Sequence, residues 1–358
     1  TDRRGLHLPD SAIDYEVPTA IDREWIEFAK EVGADLIGVS FVGSGEDLIR
    51  IHASGICGSD MHAYLGHDDR RPAPLVLGHE AAGIVLGGPD DGRRVTINPL
   101  VTCQTCEDCQ AGRTNLCPRR QIISMPPRPG AFADYVAMPR RNLVTVPDDV
   151  PLEKAALAEP LACGWHAVRL AGRALDRPLD DLRTLVIGGG AIGTGAALAL
   201  RAQGAANVTL IEPGELRRAR LAGLKGVTVI ASAADRPDLT GACHLVIDGV
   251  GFEATRATAC AAARPGGQIV HIGLGADRGG LDIRRMTLQE IGFTGTYTYT
   301  EQDFRDTAEA IFSGALGPLD WFDRRPLSDG PQAFADIRAG RAAAPKILLI
   351  PDQEDRTA

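Results

Sequence analysis

A thiol, two imidazoles, a hydroxyl and two carboxylates crowd into two short stretches of this chain. The first is Gly55-Ile56-Cys57-Gly58-Ser59-Asp60-Met61-His62, and the second is Gly78-His79-Glu80. Cys57, His79 and Glu80 form a donor set suited to a zinc ion with one position left open. Such a site activates an alcohol or carbonyl oxygen. Ser59 and His62 beside them have the groups to carry a proton. Taken alone, the trio also fits a small buried thiol and a core histidine. Glu159 lies in Ala158-Glu159-Pro160-Leu161-Ala162-Cys163-Gly164. On that apolar stretch a buried, metal-facing carboxylate is expected.

Two further motifs decide between these readings. Cys103, Cys106, Cys109 and Cys117 have the spacing C-x2-C-x2-C-x7-C. Four thiolates close a tetrahedral shell and leave no place for substrate, so this set reads as structural zinc. Thr184 to Gly193 contains Gly188-x-Gly190-x-x-Gly193, with Ile192 inside it, between an expected strand and an expected helix. Glycines there allow a tight turn and the close approach of a pyrophosphate to backbone N–H groups. Glu212 ends the next strand, 19 residues beyond Gly193. Its carboxylate can accept from ribose hydroxyls and repels a 2′-phosphate, which favours NAD; Arg217 and Arg218 nearby keep NADP open. A closed zinc site and a nucleotide unit call for an open catalytic site, and Cys57, His79 and Glu80 supply it.

The elements that must position these groups change character along the chain. Residues 1–44 read as a polar lead, a helix from Asp22 to Val32 and a strand from Ala34 to Val42. From Gly45 the composition is all-β, with strands at Leu48 to Ala53, Ala81 to Leu86 and Arg94 to Asn98. An Ala-rich helix runs from Leu152 to about Arg173. Residues 183–300 then alternate short apolar strands with helices, the pattern of a doubly wound parallel sheet. A helix from Glu301 to Phe312 and a strand from Lys346 to Ile350 close the chain.

With 358 residues, two or three domains are expected, and 44% hydrophobic with 24% charged residues is a soluble composition. No apolar run is long enough for a bilayer and no export signal is visible, so a cytoplasmic setting without membrane partners is expected. A net charge of −9 argues against nucleic acid as a partner.

Together these residues resemble the zinc-dependent medium-chain dehydrogenase family, and within it the sorbitol, threonine and butanediol dehydrogenase-like branch, from Gly45 to about Asp352. The resemblance implies an α/β plus β fold. A GroES-like catalytic domain (45–160 and 301–358) is interrupted by a Rossmann domain (161–300). It implies hydride transfer between NAD and a secondary alcohol, polyol or hydroxy acid, with a ketone as the oxidised form, in a homo-oligomer of two or four chains. By motif, Cys57, His79 and Glu80 bind catalytic zinc, and Glu159 binds it or holds its water. Ser59 and His62 relay the substrate proton through the cofactor ribose, and Cys163 touches the nicotinamide.

Residues 5–44, from Gly5-Leu6-His7-Leu8-Pro9 to Phe41-Val42, are instead similar to part of the pyruvate kinase barrel, without its phosphate-transfer set. A replaced N-terminus would leave strand edges bare and lower stability. It also motivates an alternative: an impaired NAD-binding, structural-zinc protein. Thr298 stands near where the branch carries an arginine, which weakens a simple polyol substrate. Tyr64 and the loop from Gly66 to Arg71 follow the site. Arg70 or Arg71 could bind a substrate carboxylate or phosphate, although solvated arginines are the plainer reading.

Overall fold

Ile49, Ile51 and Ala53 are buried and alternate with exposed Arg50 and half-exposed His52, and this period of two makes β1 (Glu46–Gly55) a strand with one dry face. The computed structural model describes residues 46–175 and 177–352, which lie within one compact unit, Gly45–Gln353. Helix α1 (Gly58–Tyr64) follows β1. Then come β2 (Glu80–Leu86), β3 (Arg94–Ile97), the small pair β4 (Leu100–Val101) and β5 (Gln121–Ile122), β6 (Tyr135–Pro139) and β7 (Leu143–Thr145).

The helix expected from Leu152 to Arg173 is in fact two. A single turn, Leu152–Ala155, is followed by α2 (Ala158–Leu175). Pro160 lacks an N–H and clashes with the carbonyl four residues back, so it fits only a first turn. The helix therefore restarts two residues before it. The restart places Glu159 in the first turn, where free N–H groups favour a carboxylate.

From there strands and helices alternate: β8 (Arg183–Ile187), α3 (Ala191–Ala202), β9 (Asn207–Ile211), α4 (Glu215–Leu221), β10 (Val227–Ile230), β11 (Cys243–Asp248), α5 (Glu253–Ala262), β12 (Ala263–His271), α6 (Ile283–Leu288) and β13 (Gly292–Gly295). Helix α7 (Glu301–Phe312), β14 (Phe322–Pro326), α8 (Gly330–Arg338) and β15 (Lys346–Ile350) complete the described chain. Strands β8 to β13 form one parallel sheet in the order β10-β9-β8-β11-β12-β13. The order reverses between β8 and β11, which opens a crevice at the carboxyl ends of the strands, the place where such sheets bind ligands. Runs such as Leu185-Val186-Ile187 and Leu245-Val246-Ile247 are buried because helices cover both faces.

The other sheet has seven strands, in the order β14-β15-β1-β2-β3-β7 with β6 also on β1. β2 flanks β1 on one side, while β6 along Glu46 to Arg50 and β15 at Ser54 and Gly55 share the other. β1 is thus partnered on both sides by described strands alone. One apolar core joins the seven-stranded sheet to the helices beside it: Ala53, Ala82 and Leu348 meet Leu161 on α2, Leu198 on α3 and Phe304 on α7, with Tyr299 and Trp321. Each large side chain so buried contributes about 1.5–3 kcal/mol. The expected helix from Asp22 to Val32 and strand from Ala34 to Val42 lie outside the described residues. Among the described residues no helix is long and apolar enough to cross a membrane.

Candidate active site

Cys57 lies two residues past the end of β1 and Glu80 opens β2, where it pairs with Gly55. Strand pairing therefore brings together residues that the sequence separates. One donor atom each from Cys57, His79 and Glu80 lie within 4.8 Å of one another. His79 and Glu80 are buried and Cys57 is half-buried. Glu80 Oε2 is buried with no hydrogen-bond partner, which is the state of an oxygen that a cation would satisfy. Orphan oxygen and soft-to-borderline donor set both fit zinc.

His79 is oriented by groups that spacing does not reveal. Its Nδ1 is 3.4 Å from Asp60 Oδ1 and 3.2 Å from Ser124 Oγ, and its Nε2 is 3.5 Å from Ser59 Oγ. Asp60 is fully buried and also accepts the N–H groups of Cys57 (3.0 Å) and Gly78 (3.2 Å). Burial raises its carboxyl, but His79 and those N–H groups outweigh burial and keep it below the usual range. In return Asp60 lifts the imidazole well above its ordinary value, against the burial that lowers it. A ring pinned through Nδ1 presents Nε2 as its ligand atom. The sequence signal for Asp60 is its place three residues after Cys57, where a carboxylate can cap the start of α1.

Glu159 and Cys163 are one turn apart on α2, so they share a face, but neither belongs to the three-donor cluster. Glu159 Oε1 accepts from the buried Tyr299 hydroxyl at 2.9 Å. Burial pushes its carboxyl up to about 7, with His79 opposing and Glu80 adding to the rise. Burial, with Glu159 and Cys57 close by, holds the Cys163 thiol well above its usual range. Ser59 is half-buried and His62 exposed, three residues apart on one face of α1.

Tyr299 is fixed from its other side. Next to it, Thr300 donates its N–H and hydroxyl to Asp303 Oδ2 (3.0 and 2.6 Å), which also meets His166 Nδ1 (2.7 Å) and Arg169 Nη2 (2.7 Å) on α2. Burial raises the Asp303 carboxyl, but His166, Arg169 and Thr300 overcome this and hold it far below the ordinary range. A depressed carboxyl contributes stability above its unfolded pKa of about 3.9 that is lost as pH falls toward the folded value. Asp303→Asn is therefore expected to cost about 3 kcal/mol at neutral pH and to flatten the loss of stability below about pH 4. Urea unfolding at pH 7 and pH 3.5 checks both.

Cys103, Cys106, Cys109 and Cys117 gather around the loop that follows β4, all four sulfurs within 4.8 Å and none in a disulfide. Cys103 Sγ lies 3.5 Å from Cys117 Sγ and 3.9 Å from Cys109 Sγ. A tetrahedron with Zn–S bonds of about 2.3 Å has edges of about 3.8 Å, so the set is shaped for zinc. Arg119 Nη2, 3.2 Å from Cys103 Sγ, offsets part of the thiolate charge.

In the glycine turn after β8, Gly188 has φ +98°, and a Cβ on Gly193 would sit 1.8 Å from the Gly188 carbonyl oxygen. Ile192 stands in the first turn of α3. Glu212 is buried and accepts from Gly189 N (3.0 Å) and Gly214 N (2.6 Å). A carboxylate has about four acceptor positions, so two remain for ribose hydroxyls. Arg217 Nη1 lies 3.6 Å from Glu212 Oε2, whereas Arg218 turns to the carbonyls of Glu212 and Pro213.

Arg70 and Arg71 differ. Arg70 is exposed and paired with Asp68. Arg71 is buried and donates to the carbonyls of Ser124 (3.1 Å) and Ser59 (3.0 Å), so the solvated reading is corrected for this residue: it is a strut between α1 and the loop that carries Ser124. Ser124 (φ +67°) and Thr298 (φ +47°) take left-handed conformations that L-residues rarely adopt, and such conformations concentrate at functional sites.

A parallel sheet with this strand order and glycine turn, packed against a β-domain that carries one closed and one open zinc-type donor set, defines a medium-chain dehydrogenase. Residues 43–148 match the alcohol dehydrogenase GroES-like domain and residues 191–313 match the zinc-binding dehydrogenase domain. The protein named probable D-xylulose reductase A of Arthroderma otae is 32% identical over 316 residues, 82% of this chain and 87% of that one. L-idonate 5-dehydrogenase of Vitis vinifera is 32% identical over 275 residues, covering 70% and 73%. Among solved structures, a chain described as a zinc-binding dehydrogenase from Sinorhizobium meliloti 1021, bound to NADP, superposes with TM-score 0.77 at 28% identity, covering 88% of this chain and 94% of that one. The chain belongs to the zinc-binding alcohol dehydrogenase family. It is an oxidoreductase of the zinc- and NAD(P)-dependent class.

Proposed function

We propose that the chain oxidises a secondary hydroxyl of a polyol or hydroxy acid with NAD, at a site where Cys57, His79 and Glu80 hold catalytic zinc. The orphaned, buried Glu80 Oε2 amid that donor set is the observation that carries this. Zinc there supplies Lewis-acid polarisation of the substrate oxygen, and NAD supplies the hydride acceptor. Asp60 and Ser124 fix the His79 ring. Glu159, held by Tyr299 through Oε1, keeps its other oxygen for the zinc or its water. In this proposal Ser59 accepts the hydroxyl proton as it gives up its own, and His62 passes the proton to solvent. Cys163, on the Glu159 face of α2, lines the nicotinamide side. Relatives named for D-xylulose and L-idonate support the substrate class. Cys103, Cys106, Cys109 and Cys117 hold the structural zinc. The same reading carries a cytoplasmic homo-oligomer, a dimer or tetramer, with 45–160 and 301–358 as catalytic domain and 161–300 as cofactor domain.

Cofactor choice tests the reading at Glu212. Each charge-assisted hydrogen bond to ribose contributes about 1.5–3 kcal/mol, or roughly 10–150-fold. A panel of polyols and hydroxy acids is expected to show turnover with NAD at least tenfold faster in kcat/KM than with NADP. Glu212→Ala should erase that preference. Absence of turnover across the panel, or a wild type that prefers NADP, contradicts the proposal.

A further inference from the structure

Lys346 is 266 residues from Glu80 in sequence, yet its Nζ lies 2.6 Å from Glu80 Oε1, with side chains 3% and 1% exposed. β15 brings it there. Leu348 pairs with Gly55, Leu349 pairs with Ser54, and Ile56 N donates to Ile347 O at 3.0 Å, so the first residue of β15 reaches under Cys57 and Glu80. Nζ also donates to Ile56 O at 2.8 Å, which leaves the ammonium little freedom. On the other side Gly55 presents bare backbone: a Cβ there would stand 2.1 Å from Glu80 Oε2. One carboxylate oxygen is thus taken by the lysine, and the other rests over Gly55 with no partner.

We propose that Lys346 is a positioning residue that restricts Glu80 to one-oxygen binding of the zinc, with Gly55 providing the room. This rests on the reading of Cys57, His79 and Glu80 as metal ligands. A carboxylate can bind a cation through one oxygen or two. Binding through two would fill the position that a substrate oxygen needs. The ammonium prevents this by occupying Oε1, and its charge offsets that of the carboxylate, so less of the cation's polarising power is cancelled by its own ligand.

The test uses the full chain with Co²⁺ exchanged into the catalytic site. Visible spectra, zinc affinity by chelator competition, NAD affinity and turnover are recorded for wild type, Lys346→Met, Lys346→Arg and Glu80→Gln. Wild type is expected to give the intense spectrum of four-coordinate cobalt. Lys346→Met should give the weaker five-coordinate spectrum, with kcat about 10–100-fold lower and NAD affinity unchanged. Lys346→Arg should recover the wild-type spectrum. If Lys346→Met is insoluble, Lys346→Gln, which keeps a donor without the charge, should shift the spectrum in the same direction. Two outcomes separate the failures. If Glu80→Gln changes neither spectrum nor zinc affinity, the ligand reading is wrong. If Glu80→Gln changes them and the neutral Lys346 variants do not, the lysine proposal is overturned.

Discussion

Cys57→Ser is expected to lower turnover by about 10³-fold or more while NAD affinity stays within about twofold of wild type. Lewis-acid stabilisation by a metal amounts to several kcal/mol, and each 1.36 kcal/mol is tenfold in rate. A neutral hydroxyl replaces the one thiolate of the open site, leaving a histidine and a carboxylate to retain the zinc. The fold should survive, because the Cys57 backbone N–H that anchors α1 to Asp60 Oδ2 is untouched by the substitution. The cofactor turn belongs to the other sheet, so its affinity is a clean control. Zinc content is expected to fall from two to one per chain, the four-cysteine site remaining filled. A variant that keeps two zinc ions and wild-type turnover removes Cys57 from the metal site.

The second large effect is expected at Gly193. A Cβ there would stand 1.8 Å from the Gly188 carbonyl oxygen and 2.9 Å from its carbon, and both are backbone. No rotamer change relieves that contact, so the turn between β8 and α3 must open. Gly193→Ala should lose about 3 kcal/mol or more of stability and at least about 100-fold in NAD affinity, since Gly189, within the turn, would lose its place opposite Glu212. Gly190→Ala separates the two effects: a Cβ there meets nothing within 4 Å, and the residue has φ −71°. It should keep wild-type stability and lose cofactor affinity alone, because only an approaching pyrophosphate needs that space. Thermal melts with and without NAD, plus fluorescence titration, distinguish the pair. Gly193→Ala with wild-type stability and affinity would show that the turn is not as close as the structure has it.

Much of this was legible from local pattern. The alternation of Leu185-Val186-Ile187 with helix, the glycine turn and Glu212 announce a parallel sheet with its crevice, because each signal lies within a few residues of the next. The four cysteines are equally local. Illegible were the groups that act across distance. Lys346 looks like the polar first residue of an apolar strand, and only the insertion of β15 beside β1 carries it to Glu80. Tyr299 reads as one aromatic among threonines until α7 docks on α2 through Asp303. Ser124 reaches His79 through a left-handed backbone that spacing does not announce. Pro160 carried its own signal: the helix break at Ala156 and Leu157 follows from proline geometry, although the Ala-rich composition around it suggests one continuous helix. For Arg71, composition points to solvent, and the structure instead turns its guanidinium to the backbone carbonyls of Ser59 and Ser124.

Anomalous diffraction at the zinc edge, from crystals of the full chain grown with zinc and NAD, tests the catalytic site most directly. Two peaks per chain are predicted, one among Cys103, Cys106, Cys109 and Cys117 and one coordinated by Cys57 Sγ, His79 Nε2 and a single oxygen, Oε2, of Glu80. A single peak at the four-cysteine site, or a second peak away from Cys57, His79 and Glu80, would contradict it.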